Sequence, residues 1–175
     1  MQTAQNLFRF PPRSRRTAQI LVLIIPALAG FPVRSAAQLP HNIPNLCSNP
    51  TVTSVKSGAW SDPGTWSIGQ VPTVNDRVNI TAGTTVTYDR QSDADLVCVG
   101  VYGQLVFRTD ISTRLTVGTL MVMPNGGLRV GTTSAPVAAG ATAEIVISDR
   151  GIDTGVDPEQ FGTGLLGFGQ VIMHG

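Results

Sequence analysis

The 175-residue sequence holds one lysine, Lys56, and two histidines, and only 13% of its residues are charged. Lys+Arg total 12 against 11 Asp+Glu, so the cationic stripe of a nucleic-acid binder is missing. No Gly-Lys-Ser/Thr triplet exists to cradle a phosphate. Two cysteines and two distant histidines make no zinc signature. Neither a Gly-x-Ser-x-Gly elbow nor a His-Glu-x-x-His motif occurs. The longest apolar run, Ile20 to Ala29, is ten residues and contains Pro26, too short to cross a hydrocarbon core of ~30 Å. No window sustains helical periodicity over three turns, which excludes a helical bundle. Nothing in this inventory asks for a cofactor or a metal.

What is present divides unevenly. Residues 1–37 carry Arg9, Arg13, Arg15, Arg16 and Arg34 and no acid. The rest of the chain therefore has seven cations against 11 acids. A basic stretch, the apolar run and Ser35-Ala36-Ala37 before Gln38 follow the layout of a secretory signal peptide over 1–37. An uncleaved signal anchor is the alternative. Export predicts a secreted or extracellular protein (periplasmic in a bacterium) without stable membrane insertion. In such an oxidising compartment Cys47 and Cys98 are expected to pair, with two free thiols as the alternative.

Residues 38–52 contain three prolines and three asparagines without periodicity and read as a linker that Cys47 could staple to the domain. From Thr53 the texture changes to short apolar alternations bounded by glycine. Val78/Ile80, Leu105/Phe107, Leu115/Val117, Leu120/Val122, Leu128/Val130, Ile145/Ile147 and Val171/Met173 each have period two, the mark of strands. The fold class is all-β. Gly103-Gln-Leu-Val-Phe107, Gly126-Gly-Leu-Arg-Val130 and Gly169-Gln-Val-Ile-Met173 share one pattern. The first two glycines are 23 residues apart and the next two 43, nearly twice that period. Val97 to Val101 matches Leu120 to Pro124 at the shorter offset. Such spacing suits a β-helix, a solenoid of short stacked strands; a β-sandwich of evenly spaced hairpins is the alternative. The last strand-like run stops at Met173-His174-Gly175 without a cap, which predicts further coils or a partner chain at that end.

Trp60-Ser-Asp-Pro-Gly-Thr-Trp66, followed by Gly69, Pro72, Asp76, Val78 and Ile80, forms a spaced set. With Gly83, Gly103, Gly126, Gly127, Gly131, Gly169 and Gly175, residues 53–175 resemble the G-eight domain. That family occurs in extracellular proteins, among them a cell-migration-inducing hyaluronidase, fibrocystin and bacterial β-helix proteins. The resemblance implies a right-handed parallel β-helix, usually the start of a longer one, associated with binding or processing of extracellular polysaccharide.

Candidate sites carry competing readings. Trp60 and Trp66 suit a sugar-stacking platform or a cap over the first coil. Asp93 and Asp95 would share a face in a strand; they could bind a hard cation, serve as acid and base on a glycan, or be solvated turn carboxylates. Asp149, Asp153 and Asp157 fall in a glycine-containing loop without EF-hand spacing; His41 lies in the linker and His174 next to the terminus. Gly162-Thr-Gly-Leu-Leu-Gly167 fits a dinucleotide pattern but lacks the strand before and helix after it. Asn79-Ile80-Thr81 is a glycosylation sequon, meaningful in a eukaryote, with Asn79 on the outward parity of its strand. The expectation is a secreted, non-catalytic module that binds a glycan or caps a longer β-helix. The alternative is the N-terminal part of a hyaluronidase-like enzyme.

Overall fold

The computed structural model describes residues 43–175; the leader expected over 1–37, and His41, lie outside them. Eleven strands follow in chain order: β1 (Val52–Thr53), β2 (Gly58–Ala59), β3 (Arg77–Ile80), β4 (Thr85–Tyr88), β5 (Leu96–Val101), β6 (Gln104–Phe107), β7 (Thr113–Val122), β8 (Gly127–Val130), β9 (Ala143–Ile147), β10 (Gly164–Gly167) and β11 (Gln170–Met173). The one helical element among the described residues is a single 3-10 turn at Pro63–Thr65. The protein is all-β, as its period-two alternations require.

Successive strands belong to two sheets. One has the order β1-β3-β5-β7-β10, with β9 also beside β7; the other runs β11-β8-β6-β4-β2. Every strand pair is parallel, and neither sheet closes into a barrel. Parallel neighbours place like positions side by side. Val52 lies beside Val78, Val78 beside Val99, Val99 beside Leu120 and Leu120 beside Leu165. In the other sheet Val86, Leu105, Leu128 and Val171 form the matching row. The first four of one row and first three of the other are essentially inaccessible to solvent. Each such side chain stabilises the fold by about 1.5–3 kcal/mol relative to an exposed one.

The repeated Gly-x-Leu/Val-x-apolar pattern is the register of the second sheet: Leu105, Leu128 and Val171 are direct neighbours, as are Phe107, Val130 and Met173. The 43-residue interval does not hide a further strand of this sheet, because β11 pairs directly with β8. The surplus residues leave the sheets in two excursions, 131–142 and 148–163. Lengthening a surface loop has a slowly growing entropic cost, so a doubled spacing is tolerated without an added strand. The expected partnership of Val97 with Leu120 is also corrected: Val99 occupies that place. The corner after β7, Met123 to Gly126, is two residues longer than Tyr102-Gly103 after β5, which stretches one sheet's interval relative to the other's.

The corner glycines answer to a close approach of backbone. A Cβ at Gly103 would strike the carbonyl oxygens of Thr81 and Thr84, and one at Gly126 that of Val101. Each corner nests in the preceding one, and only hydrogen fits between. At Val97 and Gly118 the neighbouring strands β5 and β7 change inward parity: Leu96 and Val99, like Val117 and Leu120, are all core residues. The alternations expected separately at Leu115/Val117 and Leu120/Val122 thus form one bent strand.

The linker expected over 38–52 is part of the packed structure where it is described. Val52 is in β1, and Arg77 donates from Nε to the Ser48 carbonyl (3.0 Å) and from Nη2 to that of Leu46 (2.9 Å). Cys47 and Cys98 form a disulfide with Cα atoms 5.6 Å apart. Gly100 leaves the space that Cys47 occupies, since a Cβ there would lie 3.3 Å from the Cys47 Cβ.

Candidate functional site

The expected sugar platform is buried. Trp60 and Trp66 are each 2% exposed, so neither indole offers a face for stacking on a sugar. Asp62 starts the turn that brings them together, accepting from the Gly64 amide at 2.8 Å. That amide, followed by Lys56, holds the Asp62 carboxyl below its ordinary range. The indole rings meet edge to face at 4.8 Å, and Trp66 Nε1 donates to the Trp60 carbonyl at 2.8 Å. Trp60 contacts Tyr88 edge to face at 4.9 Å, and Tyr88 stacks on Phe107 at 4.8 Å. Tyr88 and Phe107 are register neighbours in β4 and β6. The aromatics therefore form one continuous row, whose tryptophans close the end of the core nearest β1 and β2.

Asp93 and Asp95 engage different arginines. Asp93 accepts from Arg114 Nη1 at 3.1 Å, while Arg114 Nε reaches Glu144 at 2.6 Å. Asp95 accepts from Ser148 Oγ at 2.6 Å and Arg150 Nε at 3.2 Å, and its other oxygen lies 2.8 Å from Arg150 Nη2. Burial pushes the Asp95 carboxyl up, but the Ser148 and Arg150 hydrogen bonds and the Arg150 charge outweigh it and hold the group below its ordinary range. Arg150 Nη2 also donates to the Asp95 carbonyl and to Asn75 Oδ1. Neither carboxylate stands free.

Arg150 opens a cleft of about 560 Å³ against the outward face of β5 and β7. One wall is the segment held by the disulfide, Leu46 to Asn49; the other is the 148–163 excursion. Arg77, Arg150 and Asp153 supply polar groups, while Val97, Ile152 and Val156 supply apolar surface. The excursion owes its shape to its acids. Asp153 accepts from the Gly155 amide, and the buried Asp157 accepts from those of Phe161 and Gly162 at 3.0 and 2.6 Å. Those carboxylates serve as turn builders. Thr163 donates its amide to Thr119 Oγ1 and its hydroxyl to the Arg150 carbonyl, anchoring the loop's return. The dinucleotide-like glycines 162–167 are this return followed by β10, with no helix after them.

Asn79 points outward from β3 as expected, but its Oδ1 is buried without a partner and the sequon's Thr81 hydroxyl donates to the Ser54 carbonyl at 2.7 Å. The His174 ring lies 3.5 Å from the Thr133 hydroxyl, and its backbone bonds Val130 and Val137. Sequence reasoning missed Arg77 and Arg150. Both are among the few cations outside the leader, and a search for cation partners of Asp95 would have been the available signal.

Residues 65–175 match the G8 domain. The chain belongs to the G8 domain family. Its match begins at Thr65, so Trp66 falls inside the G8 span and Trp60 just ahead of it. No curated protein and no solved structure matches the chain. The glycines of this G8 domain divide by task. Gly69, Gly83 and Gly131 have φ of 64°, 83° and 75°, in the left-handed region that glycine tolerates; Gly103, Gly126 and Gly169 admit a neighbouring carbonyl. No helix among the described residues is long and apolar enough to cross a membrane.

Proposed function

We propose that this G8 domain is a secreted module folded as a right-handed parallel β-helix that starts a longer β-helix and binds an extracellular glycan in its outer cleft. Parallel strands alternating between two sheets at short intervals support the solenoid, and the strong preference of parallel crossovers for one hand supports right-handedness. The observation that carries the reading is the difference between its ends. One is closed by buried tryptophans; at the other Leu165, Val171 and Met173 are 39%, 38% and 48% exposed. These three side chains stand in register with core residues, and β10 and β11 are sheet edges. Such edges pair with a further strand. The natural occupant is another coil, from this polypeptide or a partner chain.

For the glycan, the cleft combines donors, acceptors and apolar patches, the mixture that sugar-sized ligands use. Asp93 and Asp95 being held by arginines supports binding over acid–base hydrolysis. A glycan array probed with the secreted protein tests this. Binding should be lost in Val97→Glu, which places a charge in the cleft, with the melting temperature largely kept. Binding that survives this change would overturn the cleft assignment. Replacing Val171 and Met173 by lysine tests the open end: sedimentation of the wild-type protein should show end-to-end association that the double variant lacks. A wild type that stays monomeric and binds no apolar dye would contradict it.

A further inference from the structure

On the opposite side of the molecule, the outward row of the second sheet runs Thr87, Val106, Arg129, Ile172. Over its middle lies a groove of about 290 Å³, bounded by Arg108 to Asp110 on one side and Gly131 and Thr132 on the other. Arg129 is anomalous there. Its Nε is buried and has no hydrogen-bond partner. Among the described residues, no hydrogen bond or ion pair reaches any part of its guanidinium. The acid that lines the same groove is spoken for: Asp110 takes two hydrogen bonds from Arg108, one at 2.8 Å from Nε and a shorter one from Nη2. That pair lowers the Asp110 carboxyl and raises the Arg108 guanidinium from their ordinary ranges. The groove therefore carries one uncompensated positive charge in a domain whose acids outnumber its cations.

Only Nε is shut away; the two Nη groups are open to the groove without a protein partner among the described residues, and the group that can pair with them from outside is an oxyanion. The guanidinium fork presents parallel N–H donors spaced for two oxygens of a carboxylate. Val106 adds apolar lining, and Thr87, Thr109 and Thr132 line the groove as well. We propose that Arg129 anchors a carboxylate-binding site in this groove, separate from the cleft beside the disulfide and independent of the glycan reading.

The test uses the full secreted chain labelled with ¹⁵N, following the Arg129 Nε–H signal and the Val106 and Thr132 amides. Sodium glucuronate and N-acetylglutamate amide serve as carboxylate probes from the two plausible sources, a sugar acid and a peptide side chain. Glucose and sodium chloride at matched concentration and ionic strength are the controls. The expected result is a saturable shift with one or both carboxylates and none with the controls; the stronger probe identifies the source. Arg129→Lys keeps a cation but loses the fork, and should weaken binding about tenfold or more, read on the two amides. Arg129→Gln should abolish it, with the rest of the amide spectrum unchanged as proof of folding. If a variant fails to fold, the wild-type titration decides alone. Shifts that do not saturate, equal shifts with glucose or chloride, or an Arg129→Lys variant of wild-type affinity would overturn the site.

Discussion

The two ends of the stacked strands are built from the same rows yet finish differently. Along one row the side chains run Tyr88, Phe107, Val130 and Met173. The first two are nearly inaccessible, Val130 is 7% exposed and Met173 48%. At the first end Trp60 and Trp66 fold over the row, and Ser54, bridged to Trp66, hydrogen-bonds Thr84 at 2.7 Å. At the second, apolar rungs and sheet edges face outward, with no described residue packed upon them. Large aromatics cover the core at the first end and apolar rungs are exposed at the second, and the proposed reading rests on that difference.

That contrast makes the largest predicted effect the removal of the lid. Trp60→Ala should lower unfolding stability by about 3–5 kcal/mol, the usual cost of deleting a buried large aromatic. The equivalent truncation at the open end, Met173→Ala, should stay within about 0.5 kcal/mol as an exposed change. Denaturant titration of the two variants checks this, and equal losses would break the comparison.

Next comes the staple. Changing Cys47 and Cys98 together to serine should cost about 4 kcal/mol on the chain-entropy account of a loop this long, seen as a lower midpoint in non-reducing thermal melts. The loss should come with freer exchange of amides 45–48, because that segment also forms a wall of the cleft.

A smaller effect is expected along the aromatic row. Tyr88 is buried and donates from its hydroxyl to the Arg114 carbonyl at 2.6 Å. Tyr88→Phe keeps the stacking and loses that bond, for about 1 kcal/mol. Burial pushes the Tyr88 phenol well above its ordinary range. Unfolded tyrosine ionises near pH 10 while the folded one stays neutral, so its contribution is intact below that pH and declines as pH rises further. The alkaline limb of the stability curve should therefore flatten in the Phe variant.

The smallest concerns Asp95 and Arg150. Their partly exposed pair should show a coupling of about 0.2–1 kcal/mol in a double-mutant cycle. With the folded carboxyl held below its ordinary value, the stabilisation is present above about pH 4. It is lost as pH falls through the lower folded pKa. Faster exchange of amides in 150–163 on acidification would report it.

Much of this architecture was legible. Alternating Leu105/Phe107 and Leu128/Val130 marked strands, and the glycine preceding each marked the corner that meets the preceding turn's backbone. That pattern aligned β6, β8 and β11 of the second sheet in their observed register. The first sheet's was misread by two residues because the corner at Met123 to Gly126 is longer, and nothing in a period reveals on which side of a coil the extra residues fall. The doubled interval before Gly169 was equally ambiguous between a hidden coil and surface excursions. The sites were far less legible. The cleft joins Leu46, Arg77, Val97 and Arg150, brought together by stacking and a disulfide rather than by spacing. Tryptophans have the same residue code as lid or as platform, and only burial distinguishes the two.

The central claim, one closed end and one open, is tested most directly by native-state hydrogen exchange on the full, disulfide-bonded protein. The account predicts that core amides of β4, β6 and β8 exchange only through global unfolding. Amides of β10 and β11 should exchange through local openings of much lower free energy. Equal protection of β10 and β11 with the centre of the sheets, in a protein verified as monomeric, would contradict it.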